Sequence, residues 1–166
     1  MHTPTLQETI KFIQTAHAGQ TWGANQPYWH HPCRVMARLP EDAPEFVRHA
    51  ALLHDVIEDT EYSAEDLLAM GYADDTIEIV NLVTNKETPV HASKEEFLAW
   101  YENKIRDIIN SGNYWAVVVK RCDMSENFNK DALEKLPAEK AAWFRQKYTT
   151  PFELLTQAQK DLSLSL

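Results

Sequence analysis

The chain has 166 residues, 44% of them apolar and 25% charged, and a formal net charge of −9. That length suits a single domain, residues 1–166, with a real core, and the composition is that of a globular protein rather than a disordered one. The acidic balance disfavours a nucleic-acid backbone as partner, and no run approaches the ~18 apolar residues of a membrane span.

The first residues, MHTPTLQETIKF, lack a basic start followed by a long apolar core, so no secretory signal is expected. Cys33 and Cys122 are the only cysteines, too few for a disulfide framework, and cytoplasmic residence is the expectation.

Helix signals dominate. Thr3–Pro4 is expected to open a helix through about Ala18, with Leu6, Ile10, Ile13 and His17 on one face. Residues 19–30, GQTWGANQPYWH, read as a loop. His31–Pro32 starts a second helix to about Leu39, and the spacing predicts one continuous helix from about Pro44 to Glu58. Ser63–Asp66 is a capping box with Asp in place of the usual Glu, and its helix ends at Gly71. Asp74 or Asp75 opens the next, with Ile77, Val80 and Val83 as its apolar stripe.

A polar loop over 85–92 precedes Ser93–Glu96, a full capping box before a long helix to about Asn110. Tyr114–Asn127 contains the β-branched run AVVV, but no partner strand is evident, and a buried helix is the better reading. Pro137 precedes a last helix from about Ala138 to Leu162, interrupted near Pro151. The sum is an all-α domain, a bundle of about seven to nine helices.

One stretch concentrates chemistry. HDVIEDT, residues 54–60, follows the apolar AALL and holds one imidazole and three carboxylates within six positions. At helical spacing His54 shares a face with Glu58, and Asp55 with Asp59. Elsewhere, His31 sits at a loop-to-helix junction, with His30 as a competing imidazole, and Asp123 follows the apolar run YWAVVVKRC. Two imidazoles and two carboxylates suit a divalent cation such as Mn²⁺, Fe²⁺, Co²⁺ or Zn²⁺. Bound water in such a site has its pKa lowered from ~15.7 to about 7, which makes hydrolysis feasible at neutral pH. Two carboxylates at the predicted C-terminal end of a helix oppose its dipole, which favours a functional role for Glu58 and Asp59.

PYWHHP, ALLHDVIEDT and VVVKRCDMSEN together resemble the HD-domain metal-dependent phosphohydrolases. More narrowly they resemble the alarmone hydrolase domain of the RelA/SpoT group and its small stand-alone members. The resemblance runs from about Ala16 to Asn127, more faintly to Tyr148. It implies an all-helical HD domain that binds one Mn²⁺ through His31, His54, Asp55 and Asp123. It implies removal of the 3′-pyrophosphate from guanosine 3′,5′-bis(diphosphate), with Glu58 and Asp59 handling the attacking water. It also implies that Lys120, Asn127, Tyr148 and Arg145 border the nucleotide.

Two departures bear on substrate. Thr21–Trp22 stands where the family has a basic pair, and Trp22 is expected either to stack on the base or to pack the loop. Phe128–Asn129–Lys130 stands where the family has Arg–Thr. The alternatives are therefore a nucleotide 5′-phosphatase, an NADPH 2′-phosphatase, or a nucleotide-binding protein without turnover. The expected partner is a small phosphorylated nucleotide, and no oligomer is indicated.

Overall fold

The computed structural model describes residues 2–22, 25–90 and 92–165. Among these residues there are ten helical segments and one short hairpin, so the fold is all-α. Eight helices have six residues or more, which meets the expectation, and the other two are a single turn and a five-residue helix. The chain divides into two compact units, Met1–Thr84 and Asn85–Leu166.

The first unit holds α1 (Leu6–Ala16), a hairpin of β1 (Thr21–Trp22) and β2 (Gln26–Pro27), α2 (His30–Ala37), α3 (Glu45–Leu53), α4 (Val56–Asp59), α5 (Ala64–Ala69) and α6 (Asp74–Val83). Helix α1 begins later than Thr3–Pro4, because Thr5 is the residue that can cap it. Its hydroxyl accepts from the Glu8 N–H, while its own N–H and hydroxyl donate to the Glu8 carboxylate. Those bonds, the backbone one foremost, hold the Glu8 carboxyl down at about 2. Within residues 19–30, expected as loop, Thr21 pairs with Pro27 and Trp22 with Gln26.

Helix α3 is apolar on nearly every side. Val47 and the run His49–Leu53 are buried, as expected of a core helix rather than a surface one. It packs against α1, α2 and α6. The predicted single helix from Pro44 to Glu58 is divided, however. Helix α3 stops at Leu53, and Asp55, at φ −104° and ψ 0°, lies in the bridge region of backbone space. The His54 ring Nδ1–H donates to the Ala51 carbonyl at 2.7 Å, an acceptor in the last helical turn. Helix α4 then restarts as one turn, the Asp59 N–H donating to the Asp55 carbonyl at 2.9 Å.

A buried polar knot ties α1 to α3 and to the turn after α5. Thr9 donates its hydroxyl hydrogen to the Thr5 carbonyl and accepts from His49 Nδ1–H (2.9 Å) and the Tyr72 hydroxyl (3.0 Å). That uses the full capacity of one hydroxyl, one donor and two acceptor sites.

The second unit holds α7 (Lys94–Asn110), α8 (Tyr114–Asn127), α9 (Lys130–Glu134) and α10 (Ala138–Ser163). Ser93 and Glu96 cap α7 as expected. The AVVV run is helix, in α8, with Ala116–Lys120 buried in succession and α7, α9 and α10 packed around it. Helix α9 was not predicted; Asn129 opens it by accepting from the Ala132 N–H. Helix α10 runs uninterrupted through Pro151. A mid-helix proline costs about 3 kcal/mol. Pro151 is buried on the face that also buries Tyr148 and Leu155, and each fully buried large side chain returns roughly 1.5–3 kcal/mol. Packing against α7 and α8 thus outweighs the lost N–H. No described helix is long and apolar enough to cross a membrane.

Candidate metal centre

The break between α3 and α4 creates the site. In one continuous helix His54 would align with Glu58. Instead the chain turns at 54–55, and His54 meets His31 of α2. Their ring centroids lie 5.3 Å apart in an edge-on arrangement. The His54 Nε2 stands 2.8 Å from Asp55 Oδ2, and the His31 Nε2 stands 3.9 Å from the same oxygen. One donor atom from each of His31, His54 and Asp55 lies within 4.8 Å of the others. Both imidazoles are nearly fully buried and Asp55 is partly so. His31, rather than its neighbour His30, is therefore the imidazole brought to this cluster; the His30 ring lies 4.0 Å from that of Trp29.

Asp55 also belongs to a second cluster. A carboxylate oxygen from each of Asp55, Glu58 and Asp59 lies within 4.8 Å of the others, with Glu58 and Asp59 exposed. One buried group of nitrogens thus adjoins one exposed group of oxygens, and Asp55 is common to both.

This arrangement fits a divalent cation. With its Nδ1–H donated to Ala51, His54 turns Nε2 toward a carboxylate oxygen 2.8 Å away. Two acceptors at that separation call for a cation or a proton between them. A ring nitrogen held by a backbone carbonyl is also how metal-binding imidazoles are oriented. The mixed nitrogen and oxygen donors, without thiolate, suit a borderline-hard divalent ion.

Sequence reasoning missed Tyr28. Its hydroxyl donates to Asp55 Oδ2, the oxygen nearest both imidazoles. Its ring lies 4.9 Å from that of His17 and 5.7 Å from that of His31. The signal was its place three residues before His31, inside PYWHHP. Trp22, expected to stack on a base or pack the loop, has its indole nearly parallel to the His31 ring at 5.6 Å, with the Arg34 guanidinium 4.6 Å from its centroid.

The remaining predicted residues are in the second unit. Asp123 lies on α8, where its Oδ2 accepts from Lys120 Nζ at 2.9 Å across one helical turn. Asn127 is the half-buried last residue of α8. Tyr148, on α10, is buried among the rings of Tyr101, Phe128 and Phe144. Burial pushes its hydroxyl well above the usual phenol range; the Tyr101 and Asp123 charges add to this and Lys120 opposes it. Asp123, Lys120 and Tyr148 are therefore electrically close. Arg145 is exposed on α10. Asn129, in the departing segment, is committed to α9 through the Ala132 N–H and to the Ser125 carbonyl.

No protein-family model matches the chain. It is 40% identical over 65 residues to a guanosine-3′,5′-bis(diphosphate) 3′-pyrophosphohydrolase of Vibrio cholerae, a match that covers 37% of this chain and 9% of the relative. It is 40% identical over 63 residues to the bifunctional (p)ppGpp synthase/hydrolase SpoT of Escherichia coli, with the same coverage. A GTP pyrophosphokinase of Streptomyces coelicolor is 40% identical over 73 residues, 40% of this chain and 8% of the relative. The matched segments thus span less than a tenth of the length of these relatives. Among solved structures, a metazoan orthologue of SpoT described as hydrolysing ppGpp superposes with a TM-score of 0.68 at 21% identity, covering 99% of this chain and 98% of that one. The chain resembles the HD-domain RelA/SpoT-type proteins, in fold along its whole length and in sequence over somewhat more than a third of it.

Proposed function

We propose that this protein is a metal-dependent phosphohydrolase that removes the 3′-pyrophosphate of guanosine 3′,5′-bis(diphosphate). The observation that carries this reading is the shared Asp55, where a buried His31–His54–Asp55 donor set meets the exposed Asp55–Glu58–Asp59 carboxylates. A divalent cation bound there, Mn²⁺ in this reading, would neutralise charge at the phosphate oxygens and would lower the pKa of bound water from ~15.7 to about 7. His31, His54 and Asp55 would hold it, and we assign Asp123 as the fourth ligand.

Glu58 and Asp59 orient the attacking water by hydrogen bonding and accept its proton. Their exposure supports that role, because substrate and water must reach them. Lys120, Asn127, Tyr148, Arg145 and Trp22 bind the nucleotide, Lys120 by matching phosphate charge. The SpoT-like relatives named above support this substrate. The expected partner is a small phosphorylated nucleotide met in the cytoplasm.

The second reading keeps the centre and changes the substrate to a nucleoside monophosphate or NADPH 2′-phosphate. It is favoured by Trp22, which stands where a basic pair would meet phosphates and lies beside His31 and Arg34.

A panel of phosphorylated nucleotides assayed with Mn²⁺ and with chelator separates the readings. We expect metal-dependent pyrophosphate release from guanosine 3′,5′-bis(diphosphate), abolished by Glu58→Gln with Asp59→Asn while calorimetric Mn²⁺ binding persists. Turnover retained in that double variant sinks the assigned roles. Orthophosphate release from another nucleotide selects the second reading.

A further inference from the structure

Helix α4 is a single turn, and a single turn is not stable by itself. What holds it determines where the Asp59 carboxylate stands. Its last carbonyls have no following helical N–H to accept from. That of Val56 is taken by Thr60, through the N–H at 3.1 Å and the hydroxyl at 2.6 Å. That of Asp59 is taken from across the unit by Gln20, whose Nε2 donates to it at 2.8 Å.

Gln20 is itself held from the other side. Its Oε1 accepts from His17 Nδ1–H at 2.9 Å. His17 closes α1 as its C-cap, is buried, and lies against Tyr28. The Gln20 backbone carbonyl accepts from the Tyr28 N–H at 2.9 Å. The side-chain amide therefore has a defined orientation, with its oxygen toward α1 and its nitrogen toward α4.

We infer that Gln20 is a positioning residue that fixes the Asp59 carboxylate against Asp55 and Glu58 by tying the end of α4 to His17. The inference rests on the phosphohydrolase reading. The two neighbouring tethers divide the work. Tyr28 reaches the carboxylate of the metal-binding half of HDVIEDT, whereas Gln20 reaches the backbone of the water-handling half. Loss of the Gln20 tether therefore lowers turnover without changing metal affinity. Misplacing a reacting group by about 1 Å costs on the order of a hundredfold in rate.

Gln20→Glu is the discriminating variant. Its carboxylate still accepts from His17 but presents an oxygen, not an N–H, to the Asp59 carbonyl. Gln20→Ala removes both bonds and covers the case in which the charged variant fails to fold. Three measurements on the full chain are needed: deuterium uptake of backbone amides 56–62 without metal, steady-state kcat and KM, and Mn²⁺ affinity. We expect faster uptake over 56–62 in both variants, with kcat lowered about tenfold or more and KM and Mn²⁺ affinity within about twofold.

Wild-type uptake and kcat in Gln20→Glu would overturn the inference and leave Gln20 as a partner for His17 alone. An equal loss of Mn²⁺ affinity would also overturn it, by assigning Gln20 to the metal-binding half. If the wild-type chain turns over no nucleotide in the panel, the phosphohydrolase reading fails. The uptake measurement still decides whether Gln20 holds α4.

Discussion

Tyr28→Phe removes one oxygen from a site otherwise left intact. The ring keeps its packing against His17 and His31, and only the hydroxyl donated to Asp55 Oδ2 is lost. That oxygen also faces the His54 and His31 Nε2 atoms, so its direction sets the shape of the donor group. A hydrogen bond to a charged acceptor contributes about 1.5–3 kcal/mol. At 1.36 kcal/mol per tenfold, its loss corresponds to roughly 10- to 150-fold in affinity. Removal of partners that orient metal ligands elsewhere costs 10–100-fold, which overlaps that range. The assay is calorimetric titration of Mn²⁺ into chelator-stripped protein at one pH, wild type against variant. Weakening of about tenfold or more is expected. Unchanged or tighter binding would refute the reasoning, because the hydroxyl would then compete with the metal for Asp55 instead of orienting it.

Gly71 has φ +94°, and an added Cβ would lie 2.1 Å from the His2 carbonyl oxygen; Gly112 has φ +71° and open space around it. Gly71→Ala should therefore destabilise more than Gly112→Ala, which carries only the left-handed backbone cost of about 1–2 kcal/mol; equal losses in denaturant unfolding would remove crowding from the explanation. His49 has its pKa lowered chiefly by burial, with Glu45 opposing. The neutral form is thus favoured by folding, and this contribution is complete above the unfolded value near 6.5 and is lost as pH falls through the lower folded value. Melting temperature should fall from pH 7 toward 5, and His49→Gln should flatten that slope; an identical slope in the variant rejects the assignment. Asn113→Ala removes the side-chain oxygen that accepts from the Ala116 N–H at 2.9 Å and caps α8. A loss of about 0.5–2 kcal/mol is expected from chemical denaturation, and no loss would mean that solvent satisfies that N–H equally well.

Local signals in the sequence located most of the helices, because caps and apolar spacing act within one or two turns. Ser63–Asp66, Ser93–Glu96 and the stripe Ile77, Val80, Val83 all behave as read. The errors have a common cause. Pro151 is a local stop signal overridden by burial of its neighbours. The division after Leu53 leaves no trace in periodicity, since HDVIED continues the helical pattern of what precedes it. Gln20 and Tyr28 carried no chemistry of their own in the sequence; they matter through acceptors 39 and 27 residues away.

The sequence by itself determined the inventory: an all-α chain with an imidazole and three carboxylates packed into HDVIEDT and a second imidazole at the start of a helix. Residue identity and short-range spacing are enough for that. Tertiary structure decided the grouping. Helical spacing paired His54 with Glu58 and Asp55 with Asp59; the structure keeps Asp59 with Asp55, adds Glu58 to them, and sets His54 against His31. The physical reason is that ligand geometry depends on backbone directions at a turn; this turn is held locally by Ala51 and across the unit by Tyr28 and Gln20, whose two hydrogen bonds form only once α1, α2, α3 and the hairpin have packed.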